Sequence, residues 1–234
     1  MALLQMIQDV SDEIGLPRPS AVIASTDTQT RQLLAAANRE GKDLATRHRW
    51  SALQVEKTHT TLGAQLQGTV ESIMPGFNWL LNETMWNRSL RERVGGPLTP
   101  IDWQLLQAST VSGPYADFRI RQGKLYMFPA PTVSQTIGLE YISRYWCQDT
   151  SADGQDRWAA DDDTGVLSED IMTLGTIWRW KKSKGFDYAE DFRTYEEQVA
   201  NAISRDGSAR VLSMDEMSMA YVPTIRAPIG SWSP

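Results

Sequence analysis

The fold is decided in the middle of the chain by residues 118–128, which read FRIRQGKLYMF. Apolar and polar side chains alternate on both sides of Gln122-Gly123, a pair that fits a two-residue hairpin turn because glycine accepts a positive φ. In that register one face carries Phe118, Ile120, Leu125 and Met127, and the other carries Arg119, Arg121, Lys124 and Tyr126. The pattern predicts a β-hairpin.

Further strand patterns lie on either side of this hairpin. Residues 53–61 alternate and are rich in threonine, and residues 137–145 alternate again and can add a third strand. A short helix through Leu106 is predicted between them, with Thr99 as its cap and Pro100 in its first turn. The polar, acidic residues 149–165 predict a loop that returns to the helical part.

Two helices are predicted before this strand-rich region. The first ends at Gly15 and carries apolar residues at three- and four-residue spacing, namely Leu3, Ile7, Val10 and Ile14. The second is expected to open at Thr26, whose hydroxyl caps the helix while Gln29 reaches back. Its stripe is Leu33, Ala37, Gly41, Leu44 and His48.

Two more helices are predicted after it. Ser168 is expected to cap the first, which has lysines in its last turn and Gly185 just beyond. Asp187 and Glu190 are expected to open the second, which Gly207 closes. The short link between the two predicts an antiparallel pair.

The predicted fold class is therefore α+β. We expect a helical bundle formed by residues 1–50 and 165–207, an inserted β-rich subdomain at 51–164, and an extended C-terminal arm at 208–234. The arm contains three prolines and no regular periodicity, yet it is too apolar for a solvated tail. It either folds back on its own domain or docks onto a partner, and we expect docking through Val211, Leu212, Met214, Met217, Met219, Tyr221, Ile225, Ile229 and Trp232.

Composition limits the function classes. The 234 residues carry a formal net charge of -6, which argues against a dedicated nucleic-acid binder but suits a wall that repels passing DNA. No apolar run approaches the ~20 residues that a membrane span needs, so no membrane partner is expected. Cys147 is the single cysteine, which fits a reducing compartment. The nine tryptophans are mostly expected in the core, but their excess favours extensive protein contacts.

No catalytic constellation is evident. His48, His59 and Cys147 lack the spacing of metal ligands or of a nucleophile with its base, so we expect no cofactor and no enzyme activity. The alternative is a metal-dependent nuclease or hydrolase built on the acidic loop 153–163. Its candidate carboxylates are Asp153, Asp156, Asp161, Asp162 and Asp163.

The basic face of the hairpin leaves a second alternative open. Arg119, Arg121 and Lys124 are candidate contacts to DNA phosphates, either along a DNA channel or in a free-standing DNA-binding module. A solvated hairpin face explains the same residues and is the preferred interpretation.

Several segments together resemble the head-to-tail adaptor (connector) proteins of tailed bacteriophages, in particular those of short-tailed phages. The resemblance is one of pattern and organisation and covers most of residues 1–207. The segments are residues 4–10 with 13–17, residues 38–50, residues 82–88 leading to 96–98, residues 128–131 after the hairpin, and residues 188–192.

This resemblance implies a structural protein of the virion, made in the bacterial host cytoplasm and placed at the head–tail junction. It implies a helical bundle with an inserted β-rich subdomain, repeated as a ring, commonly of twelve copies, beneath the portal protein. The ring would extend the channel through which double-stranded DNA passes without sequence-specific binding. Its lower face would receive the tail nozzle or tail tube, and the C-terminal arm would reach the portal.

Overall fold

The structure, a computed structural model, describes residues 2–109 and 116–207. It confirms the α+β class, with 40% of the residues in helices and 22% in antiparallel strands. The helices are α1 (Leu3–Ile14), α2 (Thr28–Arg47), α3 (Val70–Ile73), α4 (Pro100–Ala108), α5 (Glu169–Lys184) and α6 (Ala189–Arg205). A single 3₁₀ turn at Ser51–Leu53 follows α2.

The strands are short and lie between α2 and α5. They are β1 (Gln54–Thr60), β2 (Leu66–Thr69), β3 (Phe77–Leu80), β4 (Trp86–Asn87), β5 (Glu92–Arg93), β6 (Asp117–Arg121), β7 (Lys124–Phe128), β8 (Thr136–Ser143), β9 (Cys147–Gln148), β10 (Gly154–Gln155) and β11 (Thr164–Gly165). They form a five-stranded and two three-stranded sheets.

The predicted hairpin is confirmed as β6 and β7. Gln122 and Gly123 form the turn with φ of 52° and 67°, and Phe118 pairs with Met127 while Arg119 pairs with Tyr126. The predicted third strand at residues 137–145 is also confirmed, as β8 (Thr136–Ser143), but it does not pair with the hairpin. The third strand of the hairpin sheet is β2, which pairs with β7.

Strand β8 is instead the centre of the five-stranded sheet. Its pairing with β1 runs antiparallel from Gln54 opposite Ile142 to Thr60 opposite Thr136. Because β1 spans one edge of β8, the strands β3 and β4 share the other edge, and β5 lies outside β4. The paired residues of β1 and β8 are 76 to 88 positions apart in the sequence, so local periodicity could not predict which strand pairs with β8.

The first helix agrees with its prediction, whereas the start of the second does not. Helix α1 ends at Gly15, which adopts a left-handed conformation with φ of 72°. The cap of α2 is Asp27 and not Thr26, because the Asp27 carboxylate accepts the main-chain N–H of Thr30 at 2.9 Å. The capping pair Thr26 and Gln29 is therefore not formed.

Helices α5 and α6 are antiparallel, as predicted. Trp178 packs against Tyr195, and three residues later along α5, Lys181 pairs with Asp191, earlier in α6, at 2.7 Å. Their predicted start signals need correction. Ser168 is at the N-cap of α5 but makes no side-chain capping bond, and the N-cap of α6 is Tyr188, while Asp187 accepts the Ala189 N–H at 3.1 Å.

The buried apolar residues form two clusters. One joins α1, α2, α5 and α6, and α5 is central because it contacts the other three. The other lies between the five-stranded sheet and the hairpin sheet, around Phe118, Met127 and Tyr141. Trp146, Cys147 and Trp158 pack with the helices although they lie within 51–164. The boundaries of the inserted subdomain and the geometry of the bundle stay predictions.

Candidate functional site

The predicted arm residues Val211, Leu212, Met214, Met217, Met219, Tyr221, Ile225, Ile229 and Trp232 lie outside the described residues. The chain just before them is held in place at Asp206, which follows α6. The Asp206 carboxylate accepts the main-chain N–H of Ser51 at 3.0 Å, and His48 Nε2 lies 3.1 Å from the same oxygen. The described chain therefore ends beside the segment that joins α2 to β1.

The hairpin brings Arg119, Arg121 and Lys124 to one face, as predicted, but this face is not simply solvated. Trp103 of α4 packs edge-on against Tyr126 and Phe128 of β7, with ring centroids 6.3 Å apart in both pairs. The Arg121 guanidinium lies 4.9 Å from the Tyr126 ring. Helix α4 thus covers part of the face, and fewer cations remain free for phosphates than the sequence pattern indicates.

Helix α4 has large apolar side chains on its outer face as well as on its inner face. Its inner residue Trp103 is 5% exposed, whereas Ile101 is 80% exposed and Leu105 is 68% exposed. Large apolar side chains so fully in water are typical of a surface that another molecule covers.

The acidic loop serves mainly as a set of backbone acceptors. Asp161 accepts the main-chain N–H of Ile23 at 2.8 Å and that of Val22 at 3.1 Å. Asp163 is 1% exposed and accepts the N–H groups of Ala159 and Ala160. The loop is thereby attached to the segment before α2.

The remaining carboxylates of the loop do not converge with these two. Asp153 and Asp162 are exposed, and Asp156 is half-buried. Over residues 2–109 and 116–207, no group of three or more His, Cys, Asp or Glu side chains is arranged to hold a metal ion.

Cys147 is fully buried beneath the helices. Burial, together with the nearby charges of Asp163 and Asp156, raises the pKa of its thiol to about 12. A thiol held protonated in this way is a poor nucleophile. His48 is paired with Asp206 and packs on Trp50, and neither contact brings it to the cysteine.

A buried ion pair joins α2 to α5. Glu40 is 0% exposed and accepts from Arg179 Nε at 2.7 Å, and Arg179 also pairs with Asp43 at 2.8 Å. Burial raises the pKa of Glu40 despite the arginine. Gly175 makes room for the carboxylate, since a Cβ there would lie 2.1 Å from Glu40 Cδ. Arg179 also lines a groove at the surface of these two helices.

A groove with basic rims lies on the outer side of the same two helices. Its floor is Ala35 and Ala36, and its volume is about 560 Å³. Exposed Arg39 and Lys182 line it, and Lys182 Nζ lies 5.7 Å from the Trp178 ring. In a chain of net charge -6, a cationic groove favours an acidic partner surface.

The tryptophans separate into two groups. Trp79 is 50% exposed and Trp86 is 46% exposed, and Trp232 lies outside the described residues. The other six are at most 7% exposed, as expected for core residues: Trp50, Trp103, Trp146, Trp158, Trp178 and Trp180.

Trp79 and Trp86 lie on one face of the five-stranded sheet, which we call the tryptophan face. Trp79 stands opposite Ile142 and Trp86 stands opposite Gly138, and residues two or four apart on a strand point to the same side. The face also carries Glu56 and Glu140. At one end of this side Ile142 packs into the apolar cluster of the helices, whereas the Trp79 and Trp86 rings stay about half-exposed.

The charges of the tryptophan face are largely paired. Arg88 lies across Gly138, where a Cβ would be 2.5 Å from Arg88 Nε, and it forms an ion pair with Glu56. Arg93 pairs with Glu83 at 3.3 Å. The result is a surface of aromatic rings among neutralised charges, which is the composition of a protein interface.

A cleft of about 530 Å³ adjoins Trp79. The Arg49 guanidinium stacks 4.2 Å from the Trp79 ring, and His48 and Ile142 line the cleft. The tryptophan face thus continues to the place where the described chain ends. Sequence reasoning missed it because β3 and β4 are too short to show a periodic pattern; the tryptophan excess was the only signal.

Comparisons with known proteins do not assign the chain to a family. A scan against protein-family models found no match, and a search of curated proteins found none either. Within the described part of the chain, none of the helices has the length and hydrophobicity to cross a membrane.

Proposed function

We propose that this chain is a structural head-to-tail adaptor of a tailed bacteriophage. It docks as a ring, of twelve copies by resemblance to the adaptor family, under the portal protein. The ring extends the DNA channel and offers the attachment surface for the tail nozzle or tail tube. The arm residues 211–232 provide the contact with the portal.

The observation that carries this proposal is the amount of large apolar surface left in water. Single exposed apolar residues are ordinary on a monomer, but two half-exposed tryptophans on one sheet face, and Ile101 with Leu105 on one helix, are surfaces that an assembly subunit would cover with its neighbours. The large exposed apolar side chains are distributed over both parts of the chain: Ile23, Leu62, Leu66, Trp79, Trp86, Leu90, Ile101, Leu105, Val133, Phe186 and Phe192.

The separation of the candidate surfaces supports a ring. A closed ring needs a heterologous interface, in which two different faces of each copy meet. The tryptophan face and the basic groove of α2 and α5 are two such faces on different elements. Many weak contacts then add through avidity around the ring.

The electrostatics support a conduit for DNA better than a DNA binder. The net charge of -6 repels phosphates, and the cations of the hairpin are partly engaged with aromatic rings. The acidic loop supports a structural role better than hydrolysis, since Asp161 and Asp163 are occupied by backbone N–H groups.

The proposal is tested in the phage whose genome encodes the chain. We expect particles made without this protein to be DNA-filled heads that lack tails, and we expect purified protein added to those heads to restore tail attachment. Tailed, infectious particles formed without the protein would contradict the proposal. Particles made with an Asp162→Asn variant serve as the control for the hydrolase alternative and should be normal.

A further inference from the structure

The outer side of α4 forms an apolar ridge with one negative charge. Ile101 and Leu105 are both exposed, and because they are four residues apart they lie one turn apart on the same side of the helix. Asp102 lies next to Ile101, and its carboxylate accepts the hydroxyl of Thr99 at 2.6 Å. Helix α4 contains no Lys or Arg. We call Ile101, Asp102 and Leu105 the α4 ridge.

The basic groove between α2 and α5 has the complementary charge and shape. Helix α2 supplies Ala35 and Arg39, which are one turn apart, and α5 supplies Trp178 and Lys182, which are also one turn apart. The lining residues include three basic side chains and no acidic one. Side chains four residues apart on one helix pack between such rows on other helices, and the alanine floor permits a close approach.

The α4 ridge and the basic groove do not meet within one chain. Helix α4 packs on the hairpin sheet through Trp103 and Tyr126, whereas the groove lies on helices of the other apolar cluster. The 80% exposure of Ile101 shows that the ridge is not seated in the groove of its own chain. A second copy of the chain brings a groove for this ridge and a ridge for this groove.

The tryptophan face matches the basic groove less well than the α4 ridge does. Its neighbouring glutamates are already paired, Glu56 with Arg88 and Glu83 with Arg93. The partner of Asp102, by contrast, is a neutral hydroxyl, so its negative charge is not cancelled. Opposite charges on two meeting surfaces favour the correct partner and orientation.

We infer that the α4 ridge of one copy docks into the basic groove of a second copy, with Ile101 and Leu105 over the alanine floor and Asp102 beside Lys182. The two faces differ, so each copy binds one neighbour through its ridge and another through its groove. Such a heterologous contact generates a ring when the rotation closes. The assignment of this contact to the adaptor ring rests on the proposed function.

The contact is tested on the isolated full-length chain, without portal, by sedimentation velocity over a series of protein concentrations. The ridge variant carries Ile101→Ser and Leu105→Ser and keeps its groove. The groove variant carries Arg39→Glu and Lys182→Glu and keeps its ridge. All four side chains are exposed, and a melting temperature equal to that of the wild type shows that a variant is folded.

The matched control carries Gln104→Ser and Gln107→Ser, at exposed polar positions of α4. We expect the wild-type and control chains to self-associate as concentration rises, and each variant alone to do so more weakly by about tenfold or more. An equal mixture of the two variants should form a heterodimer with one copy of each and nothing larger, because only one intact ridge then meets one intact groove.

A wild-type chain that stays monomeric at every concentration would overturn the inference. So would a folded variant of either kind that associates as strongly as the wild type, or a mixture without heterodimer. Because no portal is present, this result is separate from tail attachment. Heads that stay tailless after addition of the protein would leave the contact standing, and restored tails with unweakened variants would remove the contact alone.

Discussion

At the scale of single residues, the close approach of α2 to Trp146 gives the sharpest stability prediction. A Cβ on Gly41 would lie 2.4 Å from the Trp146 ring, which is fully buried and packed edge-on against Trp158. Gly41→Ala gains up to about 1 kcal/mol of helix propensity, but overpacking costs about 1–3 kcal/mol. We expect net destabilisation in thermal unfolding.

The matched control for Gly41→Ala is Gln32→Ala, an exposed position on the same helix. It should leave the melting temperature unchanged or slightly raised. A melting temperature that rises equally in both variants would mean that Trp146 is not packed on α2.

Cys147 gives a second prediction at this scale. Because the thiolate is the reactive form, a pKa of about 12 against the ordinary 9.0 lowers alkylation at pH 8 by about a thousandfold. Denatured protein should react at the ordinary rate.

The same raised pKa also makes stability depend on pH. It keeps the folded thiol protonated, so the free energy of unfolding that the thiol contributes is lost as pH rises from 9 towards 12. Rapid labelling of the native protein at pH 8 would contradict this burial.

The residues of α2 also show which burial could be predicted from the sequence and which could not. The stripe of α2 was predicted from apolar and small residues such as Leu33 and Ala37, and both are buried. Glu40 on the same helix is buried as well, because Arg179 and the missing side chain at Gly175 accommodate it. A charged residue carries no sequence signal for such a partner 139 positions away.

At the scale of elements, the start of α2 is open to a direct test. Asp27→Ala removes the acceptor of the Thr30 N–H and should lower the melting temperature by about 2–4 °C, whereas Thr26→Ala should have no effect. The capping bond lowers the pKa of Asp27, so its stabilisation is present above pH 3.8 and lost as pH falls. The reverse ranking of the two variants would restore Thr26 as the cap.

The hairpin gives a prediction about DNA. The adaptor account predicts no measurable binding of duplex DNA at ~150 mM salt. A DNA-binding module using Arg119, Arg121 and Lys124 would instead show a slope of log K against log salt near −2.7, about 0.9 for each cation. That slope would disappear when all three become Gln and persist in the control Arg193→Gln. Such a result would replace the adaptor proposal.

Local elements were predictable where neighbours in sequence determine them. The hairpin turn at Gln122-Gly123, the end of α1 at Gly15 and the antiparallel link at Gly185 all depend on adjacent residues, and all are confirmed. The partner of β8 and the exposure of Trp79 and Trp86 depend on segments far apart, and the sequence held no pattern for them.

At the scale of the whole molecule, two apolar clusters form the core, and several large apolar side chains remain exposed outside them. The four long helices share one cluster, and the five-stranded sheet and the hairpin sheet share the other. Exposed apolar residues on α4, on the tryptophan face and at the turn between α5 and α6 then remain for partners. The α+β class was predictable from periodicity, but the location of these surfaces required the three-dimensional arrangement.

The most direct test of the central claim is native mass spectrometry of the chain mixed with the portal ring encoded in the same genome. Full-length protein and a version ending at Gly207 are measured side by side. The account predicts stoichiometric loading of the portal by the full-length chain alone, with the arm as the docking element. Loading by both would move the docking surface away from the arm. No binding by either would contradict the adaptor function.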